Sequence, residues 1–202
     1  MPAVPALPEI QNSPSNPHSP LATALELLFE HSPVLVDVLE PQLSIVLKAS
    51  PSFVSYADLV DTALSEIAKW DVEAQAEFIA GHPRIGESKN LSTLSANEQG
   101  AHAVKPTPPE VLARLAHLNA CYEIKYPGLR YITFVNGRSR ATIAEEMEAM
   151  LGLARSLSKE DPIIESISPV EFGSHDWRSE LERAIYDIGR IAKSRLGALG
   201  LS

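Results

Sequence analysis

Trp177-Arg-Ser-Glu-Leu-Glu-Arg-Ala-Ile-Tyr-Asp-Ile-Gly-Arg-Ile-Ala-Lys-Ser-Arg-Leu-Gly-Ala-Leu199 contains no proline. Leu181, Ala184, Ile185, Ile188, Ile191, Ala192 and Leu196 recur within it at three- and four-residue spacing. That period paints one apolar stripe along a helix. Arg195 falls on or beside the stripe, next to Leu196. A guanidinium near a core face needs an acceptor, because a buried unpaired charge is costly. Three outcomes satisfy it: reaching solvent, pairing with a carboxylate such as Glu180, or meeting an anionic substrate suited to its forked donors.

The same period continues upstream. Tyr56, Leu59, Val60, Ala63, Leu64 and Ile67 form an amphipathic face, and Asp71 to Ala80 reads as a short helix ending at Gly81. Leu21 to Leu28 opens a helix broken near Ser32-Pro33, and Val34 to Leu39 marks another, stopped by Pro41 and resumed through Leu47. Pro108-Pro109 starts a helix with the stripe Val111, Leu115, Leu118 and Tyr122, and Thr142 to Leu157 reads as a further one. Tyr131-Ile-Thr-Phe-Val135 is the only strand-like run; without a partner strand it reads as extended buried backbone near 130–135. The expected fold is all-α, a compact single-domain bundle of about seven or eight helices.

Two segments stand outside that pattern. Residues 1–20 hold six of the sixteen prolines, with Ser and Asn filling much of the rest, and read as a flexible or extended arm. Residues 21–202 then form the helical domain. Within it, residues 161–176 mix Pro162, Pro169 and Gly173 with isolated apolar residues, as in a loop insertion.

The 202 residues carry 17 basic and 26 acidic side chains, a formal charge of −9. Such a surface disfavours nucleic acid and anionic lipid as partners. No run approaches the roughly 18 uninterrupted apolar residues of a membrane span. Cys121 is the one cysteine, which excludes an intramolecular disulfide and a cysteine-built zinc cage and suits a reducing, intracellular compartment. The first basic residue is Lys48, so a secretory or mitochondrial leader is not expected, and Gly200-Leu201-Ser202 is not a peroxisomal S-K-L-type signal. Cytoplasm and peroxisome both remain open.

Few motifs carry chemistry. Gly81-His-Pro-Arg-Ile-Gly86-Glu-Ser88 has phosphate-loop spacing, but Glu87 stands where that loop needs lysine. His117 and Cys121 lie one helical turn apart, yet two further metal ligands are wanting; no metal is expected. His82, between Gly81 and Pro83, is either a loop histidine capping the preceding helix or a general acid–base presented with a fixed ring direction. Ser95-Ala-Asn-Glu98 fits a capping box, whose helix N-terminus also suits a polar or anionic ligand. Neither a G-x-S-x-G elbow nor a G-x-G-x-x-G fingerprint occurs, which favours chemistry without a cofactor.

These pieces occur in the order His82-Pro-Arg-Ile-Gly86, Ser95-Ala-Asn-Glu98-Gln99, then Leu118-Asn119-x-x-Tyr122-x-x-Lys125-Tyr126. Leu129-Arg-Tyr-Ile-Thr-Phe-Val-Asn-Gly137-Arg-Ser-Arg140 and Ile191-x-x-x-Arg195-Leu196 follow. In that order they resemble the 2-oxo-4-hydroxy-4-carboxy-5-ureidoimidazoline (OHCU) decarboxylase family in its fungal form, over residues 21–199. The resemblance implies an all-α carboxy-lyase acting without a cofactor in the last step of urate breakdown to (S)-allantoin. It implies His82 as catalytic acid/base, Glu98 as the group orienting it, and Arg195 as the holder of a substrate oxygen. Pro83, Ser95, Gln99 and Leu129, Tyr131, Ile132 and Thr133 would line the pocket, the last four partly through main-chain groups. The implied partner is the small ureidoimidazoline carboxylate, and a homodimer is compatible with it. The alternative is a non-catalytic helical module that binds a ureide or a protein on the same scaffold.

Overall fold

The computed structural model describes residues 4–49, 54–87, 92–98 and 106–201, with backbone alone for 97 and 98. Nine α-helices form among them: α1 (Leu7–Gln11), α2 (Pro20–Phe29), α3 (Glu40–Ala49), α4 (Tyr56–Ile67), α5 (Val72–Ala80), α6 (Thr93–Glu98), α7 (Pro109–Lys125), α8 (Arg140–Leu151) and α9 (His175–Ala198). A π-helical turn, Leu35–Leu39, leads into α3, and a 3-10 turn occupies Ile164–Ser166. The described residues contain no strand, so the protein is all-α as expected. None of the described helices is long and apolar enough to cross a membrane. The chain divides into two compact units, Met1–His82 with Glu182–Ser202, and Pro83–Leu181.

In the first unit, α2 turns Leu21, Leu25, Leu28 and Phe29 inward, and Leu43 and Leu47 of α3 and Leu59, Val60, Ala63 and Ile67 of α4 complete the core. Fully burying each such leucine or isoleucine is worth about 1.5–3 kcal/mol. From α9, Ile188, Ala192 and Leu196 are buried, as the apolar stripe requires. Gly189 lets α9 approach α4: a Cβ there would lie 2.7 Å from a Leu64 methyl.

Two expectations change here. Pro41 does not stop a helix. The turn before it is wider, with the Glu40 N–H bonding the Leu35 carbonyl five residues back. That register lets the chain enter α3 although Pro41 supplies no N–H. The N-terminal segment is not a flexible arm over its described part. Ile10 of α1 is buried, and the Tyr56 hydroxyl donates to the Pro5 carbonyl at 2.9 Å. Ser15 and Ser19 donate to the two oxygens of the buried Glu40 at 2.8 and 2.7 Å. The prolines restrict the chain, and serine hydroxyls supply the bonds that anchor it.

In the second unit, α7 packs along α8. Between them Arg114 and Glu148 form a fully buried ion pair at 2.8 Å. Arg114 also donates to the carbonyls of Ser158, at 2.8 Å, and Asp161. Glu148 accepts from the Ser156 N–H at 3.0 Å, so the pair holds the chain that follows α8. α8 ends at Gly152, whose φ of 73° is the left-handed cap position, rather than continuing to Leu157. Beyond it, residues 161–176 are non-helical except for the 3-10 turn and the start of α9. The run 129–135 is neither helix nor strand, and Leu129, Tyr131 and Ile132 are buried. Arg138 holds its end, donating to the Val135 carbonyl and the Thr133 hydroxyl, each at 3.0 Å, and to the Phe134 carbonyl.

Candidate functional site

His82 sits two residues past the end of α5, after the Gly81 cap. Asp71 caps that helix, its carboxylate accepting the Ala74 N–H at 2.8 Å. Gly81 has an ordinary right-handed φ of −67°, so its backbone freedom is not the reason for glycine. Space is the reason: a Cβ on Gly81 would lie 2.5 Å from the Ser32 Cβ. His82 is buried at 4 % exposure, edge-on to Phe78 at 5.3 Å between ring centroids. Its Nδ1 lies 3.2 Å from the Phe78 carbonyl. A carbonyl only accepts, so Nδ1 carries the proton and the lone pair of the neutral ring falls on Nε2. The fixed ring is the geometry an acid–base histidine needs, and the same bond serves the end of α5.

Arg195 is buried at 2 % exposure. Its Nη1 donates to the carbonyls of Leu27 and Leu28, both at 3.2 Å, and Nη2 to Glu30 at 2.7 Å. The acceptor that the apolar stripe demands is therefore Glu30 with the last carbonyls of α2, where a cation is also favoured by the helix dipole. Glu180, the partner first considered, instead accepts from the Tyr122 hydroxyl at 2.6 Å. Glu30 is a residue sequence reasoning missed. Nothing local marks it, because the pairing spans 165 positions.

Within the second unit, the first site residue is half-buried Pro83. The capping box is corrected. α6 starts at Thr93, with the Ser92 hydroxyl accepting the Ser95 N–H at 3.1 Å and the Ser92 carbonyl the Ala96 N–H at 2.9 Å. Ser92 is thus the N-cap and Ser95 lies inside the first turn, buried beside Leu94. Starting three residues earlier puts Leu94 and Ser95 in the interior, which a cap at Ser95 would not do. The Glu98 side chain and all of Gln99 lie outside the described residues.

Along the run 129–135, the Leu129 N–H bonds the Tyr126 carbonyl at 3.0 Å, and Tyr131 stacks edge-on to Tyr122 at 5.4 Å. The Thr133 hydroxyl is engaged by Arg138. Nearby charge is concentrated on Arg84, which grips Glu123 through two parallel bonds at 2.6 and 2.9 Å and is held more firmly protonated by it. Burial, and then the Arg84 charge, lower the pKa of Arg130. Glu87 accepts the Arg84 N–H at 3.0 Å, so the carboxylate that disqualified a phosphate loop closes this turn. His117 Nε2 contacts the Pro162 carbonyl at 3.0 Å and the Cys121 sulfur at 3.4 Å, and burial pushes the thiol pKa up. His117 thereby supports the backbone at Pro162. Among the described residues no three His, Cys, Asp or Glu side chains converge to hold a metal.

The sequence profile described as OHCU decarboxylase matches residues 15–164. No curated protein and no solved structure matches the chain. The matched range contains every site candidate except Arg195.

Proposed function

Since the chain belongs to the OHCU decarboxylase family, a family of carboxy-lyases, we propose that it converts 2-oxo-4-hydroxy-4-carboxy-5-ureidoimidazoline to (S)-allantoin in urate catabolism. The family match over residues 15–164 carries this reading. The chemistry asks little of a protein. The bond to the carboxylate breaks, carbon dioxide leaves, and the electron pair passes into the conjugated imidazoline ring. A proton delivered to one face of that carbon then gives a single enantiomer.

His82 is assigned the proton transfer. A ring tethered through Nδ1 has a fixed direction, and a histidine works near its own pKa at neutral pH. Glu98 is assigned to orient or polarise that exchange, and Arg195 to hold a substrate oxygen with its rigid fork. Pro83, Ser95, Gln99 and the run Leu129, Tyr131, Ile132 and Thr133 are assigned to the pocket. No cofactor is invoked. A homodimer and an intracellular site, cytoplasm or peroxisome, belong to the same proposal.

A direct test supplies freshly generated substrate and follows its loss. Decarboxylation well above the spontaneous rate is expected. Allantoin binding without any turnover would favour the non-catalytic ureide-binding module instead.

A further inference from the structure

The turn Phe29 to Ser32 binds Arg195 and packs against Phe78 and Gly81, the residues that hold and precede His82. Phe29 packs on Phe78 at 6.0 Å between ring centroids, and Phe78 holds His82 by ring and carbonyl. Ser32 lies so close to Gly81 that only glycine fits beside His82. Glu30, between them, binds Arg195. Its backbone is unusual: φ 64° and ψ 156° put it in a region that is essentially reserved for glycine. Closing α2 would be easier with glycine there, which is strain-free in that conformation. A buried carboxylate kept in a glycine conformation points to its side chain as the reason.

We propose that Glu30 is a positioning residue for the decarboxylation, setting the Arg195 guanidinium and tying it to the His82 turn. The inference rests on the assignment of His82 and Arg195 above. Guanidinium donors lie in one rigid plane, so fixing Nη1 on two helix carbonyls and Nη2 on Glu30 fixes the direction of every N–H. Small misplacement of such a group is costly. A shift of about 1 Å lowers turnover about 100-fold.

The test uses the full chain with Glu30→Gly and Glu30→Gln. Glycine relaxes the backbone and removes the carboxylate; glutamine keeps the length and removes the charge. For each, thermal melting is recorded, then kcat and KM are measured on the folded protein. The expected result is a folded Glu30→Gly protein with kcat lowered about 10- to 100-fold, partly restored by added formate, which refills the vacated carboxylate position. Glu30→Gln, with the position still filled, loses kcat and is not restored. Wild-type kcat and KM in either folded variant overturn the proposal, as does loss of the fold in both, which makes Glu30 structural alone. A wild-type protein without decarboxylase activity overturns the functional reading first, and is told apart because it needs no variant.

Discussion

Arg114 with Glu148 and Arg195 with Glu30 are both buried arginine–glutamate pairs, at 2.8 and 2.7 Å. Their settings differ. Arg114 and Glu148 lie inside two packed helices, and their remaining bonds reach backbone groups at Ser156, Ser158 and Asp161. The Arg195 pair joins the end of one helix to a glutamate held in a glycine-like conformation, in the same short turn that packs on the His82 support. A charge pair set between two regular helices that pins the following chain is what stability alone requires. Strained backbone around a charge pair beside an acid–base candidate is more characteristic of a functional site.

That contrast can be broken. Arg114→Ala leaves Glu148 buried and unpaired, a loss of about 3–5 kcal/mol. Urea unfolding should show it as a lower midpoint, while kcat of the folded protein stays at the wild-type value. A fall in kcat without loss of stability would erase the difference between the two pairs. Arg195→Lys keeps the charge and loses the fork. It should lower kcat/KM about 10- to 100-fold, or about 1.4–2.7 kcal/mol of transition-state stabilisation; unchanged kinetics would make this pair structural as well.

Two smaller effects sharpen the baseline against which such losses are read. Ser92→Ala removes the cap of α6 and should cost about 1 kcal/mol in a chemical melt, a loss that Ser95→Ala would show instead if Ser95 were the cap. Asp58 completes the capping box of α4, and the Val54 N–H, then the Ser55 side chain and N–H, hold its carboxyl below the ordinary value. Its contribution is therefore present above the unfolded pKa and is lost as pH falls through the folded one. Asp58→Asn should flatten the acid side of the stability–pH curve; an unchanged slope would remove Asp58 from the account.

How much of this was legible in the sequence depends on the range of each interaction. α4 spans Tyr56–Ile67, as its apolar spacing predicts, because Ser55 and Asp58 cap it locally. α5 likewise begins after Asp71 and stops at Gly81. Local rules were incomplete where two signals competed. Gly152 ends α8 although apolar residues continue beyond it, and Ser92 outcompetes Ser95 as a cap because burial of Leu94 decides between them. The proline-rich N-terminus looked unanchored because its acceptor, Glu40, lies 21 and 25 residues away. Arg195 was recognisable as a charge on a core face. Its partner was not, since no pattern links positions 30 and 195.

The central claim is that this carboxy-lyase makes (S)-allantoin through His82. Circular dichroism of the allantoin formed from freshly generated substrate, by wild type and by His82→Ala, tests it most directly. The account predicts a single (S) enantiomer from wild type, and a rate lowered about 10²- to 10⁴-fold with largely racemic product from the variant. Equal rates and equal optical signals from the two proteins would contradict it.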